Sequence, residues 1–229
     1  MDAELRIKAQ QTSDVSRVSE SVERYVKGLR DGTLTTAAWI QCLILEGLGY
    51  AAFEGAFSTP AVGGGVAAVI DIDRPNFTLG VPNNTTILPF RIHGQGLTPL
   101  LATDADESEI LFGVHVGTKI TVAAATSVTP RNLATGLAQG SVCDAEITHS
   151  TNISTAPTVD MELARAIVVG DLNGTPANAL WGRLDLLYEP KYVPLIKGPS
   201  TLLVYRGGTV ATTGFTQVYW IELPSTALN

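Results

Sequence analysis

The stretch Thr201-Leu-Leu-Val-Tyr-Arg-Gly-Gly-Thr-Val-Ala-Thr-Thr-Gly-Phe-Thr-Gln-Val-Tyr-Trp-Ile-Glu-Leu-Pro224 decides the fold. Two β-patterned runs flank a Gly/Thr-rich connection, and together they read as the closing hairpin of a β-sandwich. In the second run Phe215, Gln217, Tyr219, Ile221 and Leu223 share one face by the two-residue strand period, while Val218 and Trp220 occupy the other. A strand with one face in water alternates apolar with polar residues, and this one is mostly apolar on both. It therefore needs a layer on each side, either core plus subunit interface or core plus a covering segment.

Outward from that stretch, the chain breaks into short β-rich runs separated by Gly, Pro, Asn and Asp. Strands are expected near 37–46, 50–58, 66–72, 76–81, 85–93, 109–116, 118–125, 140–148, 160–169, 180–188, 201–206 and 215–223. Turn chemistry divides them at Gly63-Gly64-Gly65, Arg74-Pro75-Asn76, Pro82-Asn83-Asn84, Gly94-Gln95-Gly96, Asn173-Gly174 and Lys197-Gly198-Pro199. The stretches 94–108, 126–139 and 149–159 are long enough for Greek-key crossings, and the segment 189–200, with three prolines, is expected to run extended along an edge. The fold class is all-β, a jelly-roll-like antiparallel β-sandwich over 32–229. A helical arm, 1–31, precedes it. Within the arm, 13–30 reads as an amphipathic helix in which Val15, Val18, Val22, Tyr25 or Val26, and Leu29 recur at three- and four-residue steps. Its stripe must dock on the body of its own or a neighbouring subunit.

The chain has 229 residues, enough for one large core that needs neither disulfides nor a structural metal. It is 45% hydrophobic but only 16% charged, against about 25% in ordinary soluble domains, which implies surface covered by other chains. Together with the two apolar faces of 215–223, this sparse charge predicts a homo-oligomer, with Tyr219 or Trp220 at the contact. The longest apolar run, Leu34 to Leu45, contains Gln41 and stops at Glu46, so no membrane span is expected. The opening Met-Asp-Ala-Glu-Leu-Arg-Ile-Lys lacks the pattern of a secretory signal, and export by that route is not expected. Net charge is −7, and residues 1–31 carry six basic and six acidic groups, so neither the whole chain nor the arm is a basic nucleic-acid footprint.

Candidate chemistry is sparse. His93, His115 and His149 have no second histidine within four residues, unlike the paired histidines of a metal-dependent cupin. Cys42 and Cys143 form no CxxC and read as buried free thiols, with a bridge between them as the other reading. The acidic run Asp104-Ala-Asp106-Glu107-Ser108-Glu109 has neither the glycine nor the final carboxylate of an EF-hand, and reads as a solvated loop before a strand at Ile110–Val116. No Gly-x-Ser-x-Gly elbow or phosphate loop occurs. The expectation is a protein without catalysis, cofactor or metal.

The order of features resembles jelly-roll capsid-associated proteins of tailed bacteriophages, of the head decoration or cement type. The residues that carry the likeness are Arg30-Asp-Gly-Thr-Leu34 after an amphipathic arm, Tyr50-Ala-Ala-Phe-Glu-Gly-Ala-Phe-Ser-Thr59, a Pro/Asn/Thr hairpin into Ile87-Leu-Pro-Phe-Arg-Ile92, and the closing pair Leu202–Arg206 and Phe215–Pro224. The resemblance implies a virion component made in the host cytoplasm that oligomerises, often as a trimer, and binds the major capsid protein lattice. Contact residues are then expected at Val15, Val18, Val22, Val26 and Leu29 of the arm and at Tyr219 and Trp220. A jelly-roll shell protein is the close alternative. A carbohydrate- or receptor-binding module is another, with Trp39, Trp181, Trp220, Tyr188 and Tyr192 as its candidate aromatics.

Overall fold

The computed structural model of the chain describes residues 6–8, 23–25, 39–56, 59–63, 70–99, 106–120, 125–136, 139–147, 153, 157–170, 181–208 and 212–228. The strand expected over 37–46 is a helix, α1 (Trp39–Leu45). Ile40, Leu43 and Ile44 recur at three- and four-residue spacing and pack with Leu48 against Leu88, Ile221 and Leu223. The stop is local: Gly47 takes a φ of 81°, its amide donates to the Ile44 carbonyl at 2.9 Å, and the Leu48 amide donates to the Leu43 carbonyl at 3.0 Å. With Leu43 and Leu48 in one cluster, this is a Schellman cap. Seven residues do not hold a helix on propensity, so the tertiary contact does.

Two short strands, β1 (Arg6–Lys8) and β2 (Glu23–Tyr25), pair with each other. The body strands are β3 (Gly49–Glu54), β4 (Ala61–Val62), β5 (Phe77–Val81), β6 (Thr85–Pro99), β7 (Asp106–Val116), β8 (Thr126–Val128), β9 (Arg131–Asn132), β10 (Asp144–Ile147), β11 (Met161–Gly170), β12 (Trp181–Tyr188), β13 (Ile196–Lys197), β14 (Ser200–Gly208) and β15 (Thr213–Pro224). One sheet has the six-stranded order β11-β7-β14-β5-β10-β8; the other runs β12-β6-β15-β3-β9, with β13 also paired to β6 and β4 to β15, seven strands in all. Taken in chain order, the eight strands β3, β5, β6, β7, β11, β12, β14 and β15 stand first-eighth-third-sixth in one sheet and second-seventh-fourth-fifth in the other. That is the jelly roll expected from the sequence. The segment between β7 and β11 adds β8 and β10 to one sheet and β9 to the other on the same flank. The inner faces meet in a filled core where Val218 and Trp220 pack with Phe77, Leu79, Ile92, Phe112 and Val204.

Further expectations are corrected by this topology. β14 and β15 are not a hairpin; each is a central strand with two neighbours of its own, in opposite sheets, so the Gly/Thr-rich connection crosses the sandwich. Gly94 and Gly96 are not a turn but lie inside β6, which runs on to Pro99. A Cβ on Gly94 would meet the Phe112 ring at 3.0 Å, so glycine is what lets that ring fill the core. Ile70–Ile72 and Thr118–Ile120 are not strands. Ile70 and Ile120 instead cover Leu111, Leu203 and Tyr205 on the outer face of the six-stranded sheet. Asp106–Glu109 belong to β7 rather than to a solvated loop, with Glu109 buried and bonded by Arg165 at 2.5 Å. The helix expected over 13–30 is extended where it is described, at Glu23–Tyr25, consistent with the poor helix propensity of its valines. Val15, Val18, Val22, Val26 and Leu29 lie outside the described residues.

The helix reading of Trp39–Leu45 makes a position-specific prediction. Leu43→Ala should cost about 2–5 kcal/mol in urea unfolding, whereas the exposed Leu45→Ala should stay within about 0.5 kcal/mol. Equal losses at both positions would contradict the docked helix.

Candidate functional site

Three of the four broad faces of the sandwich are accounted for by the chain itself. Both inner faces form the core. The outer face of the six-stranded sheet lies under Ile70, Ile120 and Val159, and Tyr205 Oη donates to the Ile72 carbonyl at 3.0 Å. Burial, then Asp73 and Asp71, push the Tyr205 hydroxyl up. The outer face of the seven-stranded sheet is divided. One end, at Ile221 and Leu223, is covered by α1; the other, around Phe215 and Gln217, is left open by the described residues.

Strand register builds the open end. Gln217 stands opposite Phe53 on one side and His93 on the other, and His93 opposite Leu187. One rung along, Phe215 stands opposite Gln95 and Gln95 opposite Asp185. Asp185 is the electrostatic hub. It accepts from His93 Nε2 at 2.6 Å, from Arg183 Nη2 at 2.9 Å and from Gln95 Nε2 at 3.3 Å. His93 first, then Gln95 and Arg183, hold its carboxyl below the usual range against the opposing effect of desolvation. Toward the covered end, Tyr219 packs edge-on to Phe53 at 5.8 Å between centroids, touches Phe90 at 6.2 Å and carries the Arg91 guanidinium over its ring at 5.8 Å. A register shift in β6 at Phe90 gives both Phe90 and Arg91 to this outer side.

The structure separates the two expected contact residues of the closing strand. Trp220 is fully buried in the core, its Nε1 donating to Glu222 Oε1 at 2.8 Å, and is not available to a neighbour. Tyr219 is half-buried on the outer face. Of the other candidate aromatics, Tyr188 packs against the core, Trp39 and Tyr192 are exposed away from this open end, and the Trp181 side chain lies outside what is described. His93 and His115 lie on the outer sides of opposite sheets, with the core between them; His115 Nδ1 sits 3.3 Å from Asp160. His149 lies outside the described residues. Cys42 and Cys143 are free thiols, and burial pushes the Cys143 thiol up. Among the described residues, no group of three or more His, Cys, Asp and Glu is placed to hold a metal ion. Sequence reasoning passed over Phe53, Gln95, Arg183 and Asp185. Their signal, alternation within 181–187 and 91–97, was masked by the glycines at 94 and 96.

Beneath the open end the two sheets are tied by a buried ion pair. Arg206 of β14 reaches Glu54 of β3 at 3.3 and 3.4 Å, Thr216 Oγ1 at 3.2 Å and the Ala61 carbonyl at 3.2 Å, and Thr216 donates to Glu54 at 2.7 Å. Arg206 Nε has no hydrogen-bond partner among the described residues. Burial pushes the Glu54 carboxyl up, opposed by Arg206 and Thr216, and pushes the Arg206 guanidinium down, opposed by Glu54. At the other end Glu222 accepts from Trp220 Nε1, from Ser141 Oγ and from the Val142 amide at 3.1 Å, which fixes the segment before β10. Tyr50 beside it is pushed up to about 12 by burial and then by Glu222.

No protein-family model matches this chain, and no curated protein or solved structure matches it.

The Arg206–Glu54 tie predicts a pH-dependent variant. A carboxyl whose folded pKa is raised opposes folding as it ionises, beginning at its unfolded value near about 4 and fully above its folded value. Arg206→Met leaves Glu54 without its cation, so the loss should be about 3–5 kcal/mol near pH 8 and smaller by at least ~1 kcal/mol near pH 5, where the carboxyl can stay protonated. Chemical unfolding at both pH values checks this, and equal losses would contradict it.

Proposed function

We propose that this chain is a structural component of a virion, a non-catalytic protein that decorates and stabilises the outside of a phage head as a homo-oligomer, most simply a trimer, on the major capsid protein lattice. Jelly rolls recur in viral capsid proteins, lectins and cupins, so the fold alone does not choose among them. A cupin-type site needs ligands converging inside the barrel, and here the inner space is taken by Phe77, Leu79, Ile92, Phe112 and Trp220. That filling favours a role in binding on the outside.

The observation that carries the assembly reading is an exposed apolar rim around α1. Trp39 and Leu45 on the helix are 54% and 67% exposed, and Tyr192 and Leu195, flanking Val193 of the same small cluster, are 81% and 56% exposed. Large apolar side chains gathered at one end of a chain with so few charges favour a protein partner. In sequence, the proposed docking arm 1–31 ends eight residues before Trp39 of this rim.

Light scattering at micromolar concentration should give a multiple of the 24.2 kDa chain mass; a monomer contradicts the oligomer. Removing 1–31, or replacing Tyr192 and Leu195 together with Asp, should leave the circular dichroism of the sandwich intact and weaken binding to purified tailed-phage heads. Undiminished particle binding by both variants overturns the proposed docking surface. Closed shells formed by the full chain alone in electron microscopy would make it the shell protein instead.

A further inference from the structure

We propose that the open end of the seven-stranded sheet is a binding trough for a neutral saccharide. This goes beyond the assembly role and uses a different end of β15: the trough centres on Phe215 and Gln217, the assembly rim on the region of Ile221 and Leu223. At about 3.3 Å per residue, Phe215 and Leu223 stand about 26 Å apart along the strand.

Two hollows of about 500 and 240 Å³ adjoin across the strands and share Gln95 and Phe215. The larger lies between Phe53, Phe215 and Gln217, the smaller between Phe215, Leu97 and Arg183. Glycine keeps the walls low. Gly55, at a φ of 86°, has no side chain to displace the Phe215 ring, which a Cβ would meet at 2.7 Å. Gly214 lets the backbones of β15 and β6 close up, since a Cβ there would lie 1.8 Å from the Gln95 carbonyl oxygen. The result is an open trough across β3, β15, β6 and β12.

Its chemistry suits a polyhydroxylated ring. Phe53 is 40% exposed and Phe215 half-buried, and their faces, the negative side of the aromatic quadrupole, attract the polarised C–H side of a sugar. Each of the two amides has one long hydrogen bond, Gln95 to Asp185 at 3.3 Å and Gln217 from Tyr219 at 3.4 Å, and keeps polar atoms for a ligand. Gln95 gives its NH₂ to Asp185, leaving Oε1 as an acceptor; Gln217 accepts at Oε1 from Tyr219 Oη, leaving Nε2 as a donor. They are diagonal cross-strand neighbours, about 7–8 Å apart at the backbone, a spacing spanned by the hydroxyls of one or two sugar units. Asp185 is matched by Arg183 and His93, so the trough presents paired rather than free charge, and an ionic ligand gains little. The floor strands β15 and β6 are each paired on both sides, so the free edge of the sheet, at β12, lies at the rim of the trough and not in its floor.

The test is a titration of the isotope-labelled full chain, followed by amide shifts, with maltohexaose, cellohexaose, mannohexaose and chitotetraose, and with sialyllactose and a heparin tetrasaccharide as charged comparisons. At least one neutral sugar should shift residues 53–55, 94–97 and 213–217 with a Kd on the order of 1 mM or tighter. Gln95→Leu and Phe215→Ala should each weaken that binding at least about tenfold. Gln217→Leu provides the same test should Phe215→Ala fail to fold. The Tyr192→Asp, Leu195→Asp chain should bind sugar normally, which separates this proposal from the assembly reading. No shift with any neutral sugar, shifts only with the charged ones, or binding unchanged in Gln95→Leu would overturn it.

Discussion

Val218 and Trp220 on one side of Thr213–Pro224, and Ile221 and Leu223 on the other, leave the second half of that strand no face to give to water. Everything around it answers this constraint. Its inner side organises the main core, with Tyr50 stacked on Trp220 at 6.2 Å between ring centroids. Its outer side recruits α1, and the short helix exists because that strip of leucine and isoleucine has to be covered. Toward Phe215 and Gln217 the same strand becomes amphipathic and the cover ends. One strand thus sets where the molecule is closed and where it is open.

Charge inside the sandwich follows the same economy. Arg206 and Glu54 are both buried and link opposite sheets, an arrangement that costs desolvation on each side and is retained against a simpler apolar pair. Its geometric effect is to fix how β14 lies over β3 and β15 beneath the open trough. Glu222 does similar work at the other end by accepting three hydrogen bonds, two of them from the segment inserted before β10. Net hydrophobic burial holds the sheets together, while these ties fix their register.

Much of the fold was legible because apolar runs of strand length and Pro/Asn/Gly punctuation recur along the chain. Phe77–Val81, Met161–Gly170 and Trp181–Tyr188 are found close to where alternation and turn residues put them. The jelly-roll order itself came from connection lengths, not from any pairing rule, and the closing runs were therefore misread as a hairpin although they face each other across the core. Trp39–Leu45 was missed because a short run that is apolar except for Gln41 fits a buried strand as well as a helix; the Glu46-Gly47-Leu48 stop was the available clue. The open trough was half visible, in Phe215, Gln217 and Tyr219 on one face. Its other wall depends on β6 continuing through Gly94 and Gly96, glycines that read as a turn until the packing of Phe112 is known.

On the proposed reading, the outer face of one sheet carries two separate surfaces: an apolar rim at α1 for assembly and an aromatic-amide trough at the other end of β15. Amide hydrogen exchange on the full chain, free and bound to phage heads, tests that division most directly. The account predicts new protection at Trp39–Leu45 and residues 191–195, with residues 213–217 and 94–97 unchanged. Protection confined to 213–217 and 94–97, with the helix exchanging as in the free chain, would contradict it.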